Sequence, residues 1–497
     1  MPTANSSIKM KFKEHLPEYL VLFLSIVFAT LVTFDLQLNY PHWEMYTYIE
    51  HFAMDTQPEF NFTNDIQGLI RPELDGLASR PRFFSWYVSV INAKLRFLLF
   101  KYSPIPHPTI NLTWLLTLFL LPLYFFKFIC LMTKGHRPAA LLSTATLLCS
   151  IGYISNLTIY FHPGKPVSLF AVVVCFYYLA KMQFLDQQNQ LTRKHFYFLF
   201  TLICLSLFWD ELYFVFFLTA PLFFFNFLKK YQKEFLVVVL RSALVFGLVT
   251  FLIVPTLSKK PFDFLNFALF SNTKLLSGNT PHFGQNIFEM FAAYTSPIEF
   301  IYPAPNSFEW GTIFGLRALP MWITVILFLT PFIFYFRNRN FKINLIYLQC
   351  FTAAFIYFIF QELALTRTNG QLICGGYYWG VIFAFFFNLL FAIWVTTNNH
   401  RFWRYTSIAL ALSICGFGSL NSVNSSKMTM RHNHNLYPNL ANLKLGDYGD
   451  FDYKSLVEIW KHRKNHEKVR ELLKGKPKNM AWIYYESRKH TLKPHRD

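Results

Sequence analysis

The chain has 497 residues, of which 54% are hydrophobic, 20% aromatic and only 15% charged, and its formal net charge is +19. About a quarter of the residues of a soluble domain are charged, so this composition excludes an ordinary soluble protein and predicts an all-α polytopic membrane protein. The Lys and Arg residues lie mostly in short loops between apolar runs and in the tail after residue 421. This distribution is typical of a membrane-topology signal, so no nucleic-acid partner is expected. The seven cysteines sit almost wholly in apolar segments, which predicts neither a disulfide framework nor a zinc site.

The first apolar run, residues 18–34, is long enough to stay as a span and lacks a convincing small-residue cleavage site. Lys9, Lys11 and Lys13 precede it, so the amino terminus is predicted to be cytoplasmic. The first outer loop, residues 36–109, follows on the far face. Within residues 83–101, large apolar side chains alternate with Asn, Lys and Arg, which predicts a helix lying in the outer interface.

Ionisable residues are concentrated just after this first span, in a chain where charge is otherwise scarce. The group comprises Asp35, Glu44, Asp65, Glu73, Asp75, Arg80 and Arg82. Charges placed directly against a membrane surface cost solvation energy, so they are expected there only where function requires them. The sequence therefore predicts that this stretch carries the active site of a membrane enzyme.

The middle of the chain predicts spans over residues 110–132, 139–161, 167–185 and 235–257. The apolar run 196–228 could form one long helix or two short ones joined at Trp209-Asp210-Glu211. Charge parity favours the pair, because the basic residues before and after the run belong on the same side. A first arm of about 14 residues is roughly 21 Å long, so Asp210 and Glu211 are predicted to lie recessed below the outer surface.

The last third predicts a second long outer loop, residues 258–319, and four further spans. The ninth covers residues 343–365, the tenth begins near residue 375, and the eleventh covers residues 405–420. About eleven transmembrane helices thus form residues 1–421, and residues 422–497 form a small basic domain outside the membrane. No Asp, Glu, Lys or Arg is placed at a predicted midplane, which favours chemistry at the outer interface over a route through the membrane.

This architecture resembles the GT-C superfamily of integral-membrane glycosyltransferases, which use polyprenyl-phosphate-linked sugars. The likeness is closest to bacterial members that include O-antigen-modifying enzymes. It is carried by a carboxylate after the first span, by the two long outer loops and by three short motifs. These motifs are Ser79-Arg80-Pro81-Arg82, Pro163-Gly164-Lys165-Pro166 and Gly375-Gly376-Tyr377-Tyr378-Trp379. The resemblance implies an inverting hexosyl or pentosyl transferase of the bacterial inner membrane, with a periplasmic carboxyl terminus. Its acceptor would be a cell-envelope glycan such as lipopolysaccharide, a lipid or a protein.

Transfer from a lipid-phosphate sugar needs a base for the acceptor hydroxyl and cations for the leaving phosphate. The resemblance places the catalytic carboxylate at Asp35, which could also be a helix-terminal charge; Glu44 is the alternate base or an ordinary loop acid. Asp210 and Glu211 orient the base, bind sugar hydroxyls or hold a metal, unless they only form a polar hairpin tip.

The predicted phosphate-binding residues are Arg80, Arg82, His162, Lys165 and, as the weakest candidate, Arg367. Arg80 and Arg82 could instead anchor lipid headgroups, and Lys165 could belong to a simple Pro-Gly turn. Asp35 is followed by Leu and Gln, whereas metal-using members of the family carry a second nearby carboxylate. The use of a divalent cation, Mg²⁺ or Mn²⁺, therefore stays open, and no metal ligands are assigned.

Three other functions remain open. A lipid-linked glycan polymerase or ligase would use Arg or His of the outer loops. A transporter or flippase would line a continuous cavity with charged groups. In a structural membrane subunit, the outer carboxylates would point to solvent and would not gather around a common cleft. A glycosyltransferase instead requires Asp35, Asp210, Lys165 and Arg80 to gather around one outward-facing cleft.

Overall fold

The computed structural model is helical, with no strand among the residues that it describes. These residues are 16–27, 84, 85, 88, 91, 113, 115–150, 153, 164–209, 213–253, 319, 322, 323, 325, 326, 329, 345, 346, 348–350, 352–356, 375–397, 401–436, 467, 468 and 471. The all-α fold class is therefore confirmed for this part of the chain, and the count of eleven spans stays a prediction.

The described helices with defined bounds are numbered α1 to α9 in chain order. They are α1 Leu16–Val27, α2 Leu121–Met132, α3 Arg137–Leu148, α4 Gly164–Gln187, α5 Arg193–Ser206, α6 Phe214–Lys230, α7 Gln232–Gly247, α8 Gly375–Thr397 and α9 Arg401–Leu436. A π-helical segment, Leu115–Leu120, precedes α2, and another, Leu248–Ile253, follows α7.

The turn between α2 and α3 is built by residues that favour a sharp reversal. Lys134 and Gly135 have positive φ angles of 52° and 87°, a conformation that glycine adopts at little cost. The Gly135 amide donates to the carbonyl of Cys130 at 2.7 Å, which closes the end of α2. His136 then caps α3, because its Nδ1 accepts a hydrogen bond from the amide of Ala139 at 3.2 Å.

The predicted pair of short helices within residues 196–228 is confirmed. α5 has 14 residues, and after the intervening segment α6 returns along the bundle. The ring of Phe196, near the start of α5, lies 5.6 Å from that of Tyr231, just after α6 ends. The two helices therefore run out and back, as charge parity predicts.

Contacts between non-adjacent helices fix the directions of α4 to α7. Phe196 lies near Phe235 and Phe208 near Phe246, with ring centroids 5.4 and 5.7 Å apart, so α5 and α7 are parallel. Cys175 contacts Tyr213, and Asp186 contacts Tyr231, so α4 and α6 are parallel to each other. Because α6 runs antiparallel to α5, these four helices alternate in direction, as four consecutive membrane spans do.

The core is made largely of phenylalanine, and Phe176 of α4 lies at its centre. Its side chain is fully buried, and six other phenylalanine rings surround it at centroid distances of 5.3–6.2 Å. These are Phe128, Phe216, Phe223, Phe224, Phe385 and Phe386. One ring thus joins α4 to α2, α6 and α8.

Two helices differ in extent from the spans predicted for them. α3 ends at Leu148, inside the predicted span 139–161, where the Ser150 hydroxyl donates to the Leu147 carbonyl and accepts the Tyr153 amide. Serine in that position competes with continued helical hydrogen bonding. Tyr153 is again helical, and most of the remainder of that span lies outside the described residues. The helix that contains the last predicted span, 405–420, continues to Leu436, since no Gly or Pro lies between residue 420 and Pro438. The predicted domain boundary at residues 421 and 422 therefore falls inside α9.

Two of the described helical segments are long and apolar enough to cross a membrane, Val167–Gln187 and Gln232–Ile253. The first is 72% buried over its most apolar stretch, as a core helix is, whereas the second is only 17% buried. Leu236, Leu240 and Leu244 of α7 are 58%, 58% and 61% exposed. A large exposed apolar face of this kind is costly in water and favourable in lipid, so α7 gives the stronger support for a membrane location.

Candidate active site at one end of the bundle

The structure places one of the predicted site residues and leaves the others outside the described part of the chain. Lys165 lies in the first turn of α4, where the backbone alone is described. The predicted residues outside the described part are Asp35, Glu44, Arg80, Arg82, His162, Asp210, Glu211 and Arg367. Their convergence on one cleft therefore stays a prediction, and the described residues closest to them in sequence define the candidate site.

Phe84 packs against the segment that joins α5 to α6. Its amide donates a hydrogen bond to the carbonyl of Phe208 at 3.1 Å. Its ring lies 5.7 Å from the Phe208 ring, edge to face, and 5.8 Å from the Trp209 ring. The sequence predicts an interfacial helix beginning at residue 83, but nothing in it indicates this partner, because the contact joins residues 124 positions apart.

This contact lies next in sequence to two of the predicted groups of functional residues. Arg82 lies two residues before Phe84, and Asp210 directly follows Trp209 in the sequence. The described contact therefore brings Phe84 together with Phe208 and Trp209, which neighbour in sequence the predicted phosphate-binding arginines and the predicted acids. The positions of those predicted residues lie outside the described part of the chain.

Aromatic packing and a buried polar contact hold this end of α5 and α6 in place. Phe208 stacks on Phe246 of α7 at an interplanar angle of 11°. Tyr213 is 1% exposed, and its hydroxyl lies 3.2 Å from the sulfur of Cys175 in α4. Buried tyrosine hydroxyls need a polar partner, so this contact sets the position of Tyr213 at the start of α6. The connection that carries Asp210 and Glu211 thus begins and ends at fixed points.

The amino terminus of α4 lies at this same end of the bundle, because α4 and α6 run in parallel. The first amides of a helix have no partners within it, and together with the helix dipole they favour an anion. Ser168, one turn into α4, is fully buried, and the structure describes no hydrogen-bond partner for its hydroxyl. Lys165 and Ser168 therefore lie toward the side of the bundle at which α5 ends and α6 begins, and Cys175, the contact of Tyr213, follows Lys165 by ten residues, or about 15 Å of helix.

The opposite end carries a polar cluster that the sequence prediction missed. Lys230 Nζ donates to both carboxylate oxygens of Asp186 at 2.8 Å, and the Tyr231 hydroxyl donates to the same carboxylate at 2.5 Å. The hydrogen bond to Asp186 raises the pKa of Tyr231, and burial contributes in the same direction. These contacts tie the end of α4 to the turn between α6 and α7. A lone aspartate among basic residues after an apolar run was the available signal.

The described residues include no group of three or more His, Cys, Asp or Glu side chains that could hold a metal ion. Asp35, Asp210 and Glu211, the acids nearest to the proposed chemistry, lie outside that part of the chain. The use of a divalent cation, Mg²⁺ or Mn²⁺, therefore stays untested by the described residues.

Comparisons with protein-family models, with curated proteins and with solved structures find no match to this chain.

Proposed function

We propose that this protein is an integral-membrane glycosyltransferase of the GT-C type. It transfers a sugar from a polyprenyl-phosphate donor to a glycan, lipid or protein acceptor on the extracytoplasmic face of a bacterial inner membrane. The observation that carries the proposal is the contact of Phe84 with Phe208 and Trp209, which links the charged first loop to the connection between α5 and α6. The exposed apolar face of α7 supports the membrane location.

In the proposed reaction, Asp35 accepts the proton of the acceptor hydroxyl as that oxygen attacks the anomeric carbon. The bond between the anomeric carbon and the phosphate oxygen breaks, and polyprenyl phosphate leaves from the opposite face with inversion. Arg80 and Arg82 pair with the phosphate oxygens as negative charge grows on them, and Lys165 and the amino terminus of α4 add positive potential. Asp210 and Glu211 orient the base or bind sugar hydroxyls. Glu44 is the alternate base, and His162 and Arg367 are further phosphate ligands.

The Asp35→Asn variant is expected to lose transfer by about a hundredfold or more, because the amide cannot accept the proton. The measurement is incorporation of label from radiolabelled polyprenyl-phosphate sugars in membranes that contain equal amounts of each protein. Asp65→Asn in the same loop is the matched control and is expected to retain activity. Equal transfer by wild type and Asp35→Asn would remove Asp35 as the base and leave Glu44. An inactive wild type across several donors would contradict the proposed function.

The Phe84→Ala variant tests the contact on which the proposal rests. Without the ring, the first loop loses its packing on Phe208 and Trp209, and small displacements of catalytic groups reduce rates strongly. We expect transfer to fall by roughly tenfold to a hundredfold. Phe84→Tyr keeps the ring and is expected to retain near-normal activity. Unchanged transfer in Phe84→Ala, measured in the same membrane assay, would show that the contact does not position the site.

A further inference from the structure

Basic side chains crowd the end of the bundle opposite the candidate active site, where α4 ends, α5 begins and α6 turns into α7. We call this region, residues 181–195 and 229–234, the basic junction. Its cations are Lys181, Arg193, Lys194, Lys229, Lys230 and Lys233, and its acids are Asp186 and Glu234. Six cations against two carboxylates leave a net charge of +4 on two short segments. The contact of Asp186 with Lys230 and Tyr231 holds the two segments together.

Most of this positive charge is not neutralised within the described part of the chain. Lys230 is paired with Asp186, and the structure describes no ion pair for Arg193, Lys194, Lys229 or Lys233. All four of these side chains are exposed. Glu234 is the remaining acid and cannot balance four cations. The basic junction therefore presents a positive electrostatic potential at the protein surface, where it attracts anions.

An exposed apolar face begins directly beside the junction and runs along α5 and α7. Tyr197 and Phe198 follow Lys194 in the second turn of α5 and are 57% and 50% exposed. Leu236 and Leu240 follow Lys233 in α7 and are each 58% exposed. α5 and α7 are parallel and pack against each other, so these side chains continue in the same direction from the junction. Cationic and apolar surfaces thus meet along one edge.

We infer that the basic junction binds the headgroup of an anionic glycerophospholipid, whose acyl chains lie along α5 and α7. Such a lipid carries a phosphate anion and two apolar chains in one molecule, which matches both parts of the surface. A nucleic acid offers the phosphates without the apolar part. The inference depends on a membrane location but not on the transfer reaction, so a protein inactive in transfer could still show lipid preference.

The test uses the full chain purified in a zwitterionic detergent and exposed to phosphatidylglycerol or phosphatidylcholine. Retained lipid is counted by native mass spectrometry. Each lysine near an anionic membrane surface changes affinity about fivefold, so the double variant Lys194→Gln/Lys233→Gln is expected to lose roughly thirtyfold of the preference for phosphatidylglycerol. The preference of the wild type should also weaken as salt is raised. Arg404→Gln, an exposed cation outside the junction, is the matched control and should keep the preference.

Four results would overturn the inference. The wild type could retain phosphatidylglycerol and phosphatidylcholine equally. The double variant could keep the preference for phosphatidylglycerol, or Arg404→Gln could lose as much of that preference as the double variant. Inorganic phosphate that stabilises the protein as much as phosphatidylglycerol would show an ion site and not a lipid site. If the double variant unfolds, as size-exclusion chromatography would reveal, the single variant Lys194→Gln gives the decisive comparison, with an expected loss of about fivefold.

Discussion

Replacing Phe176 by alanine is expected to lower the free energy of unfolding by about 3–5 kcal/mol, the cost of emptying a well-packed aromatic site. Phe176 is fully buried and touches six phenylalanine rings from three other helices, so no single neighbour can move to fill the space. Offset and edge-to-face ring pairs add to the loss beyond the buried area. Thermal unfolding of the purified protein in detergent would measure the change.

Phe184 offers a matched control on the same helix. It lies eight residues after Phe176 in α4 and is 47% exposed. Phe184→Ala is expected to change stability by less than about 1 kcal/mol, since partly exposed positions away from special features tolerate substitution. Similar losses in the two variants would show that the cluster around Phe176 is not the centre of the core.

The second large effect is expected at Gly418, where α9 crosses the end of α3. A Cβ atom at this position would overlap the carbonyl oxygen of Cys149, which belongs to the backbone and cannot swing aside. Gly418→Ala should therefore force α3 and α9 apart and cost about 3 kcal/mol, at the upper end for overpacked sites. Small residues allow helices to approach closely in this way.

Gly416, two residues earlier in α9, is the comparison for this variant. Nothing lies within 4 Å of a Cβ built there, and the position is exposed. Gly416→Ala is expected to be neutral or to stabilise the helix by up to about 1 kcal/mol, because alanine is the better helix former. Equal thermal stability of Gly418→Ala and Gly416→Ala would contradict the close approach of α9 to the backbone of Cys149.

The features that were predictable from the sequence depend on local or additive signals. The alternation of α4 to α7 follows from the positions of basic residues, and each helix there can be recognised from its own apolar run. Turn residues act over a few positions, as Gly135 and Asn189 do with their positive φ angles. These signals do not depend on what the helices pack against, so they can be interpreted without a structure.

The features that were missed depend on the choice of partners across long sequence separations. The contact between Phe84 and Phe208 depends on tertiary packing, and the sequence of neither segment indicates its partner. The ion pair of Asp186 with Lys230 depends on packing in the same way. The early end of α3 depends on whether the Ser150 hydroxyl turns back onto the helix or away from it. The candidate site stays a prediction from residue types and loops, since its residues lie largely outside the described part, whereas no signal in the sequence indicates the contact of Tyr213 with Cys175.

The length of α9 has a mechanical consequence for the residues that follow it. A helix of 36 residues is about 54 Å long, and the hydrocarbon layer of a bilayer is about 30 Å thick. If α9 crosses the membrane from Arg401, its last turns extend beyond the lipid into the aqueous phase. The chain after Leu436 is then carried at a distance from the bilayer surface that the helix length and its tilt determine. Deleting two turns from the end of α9 would bring the chain after Leu436 about 11 Å closer to the bilayer surface, without any change in the sequence of that chain.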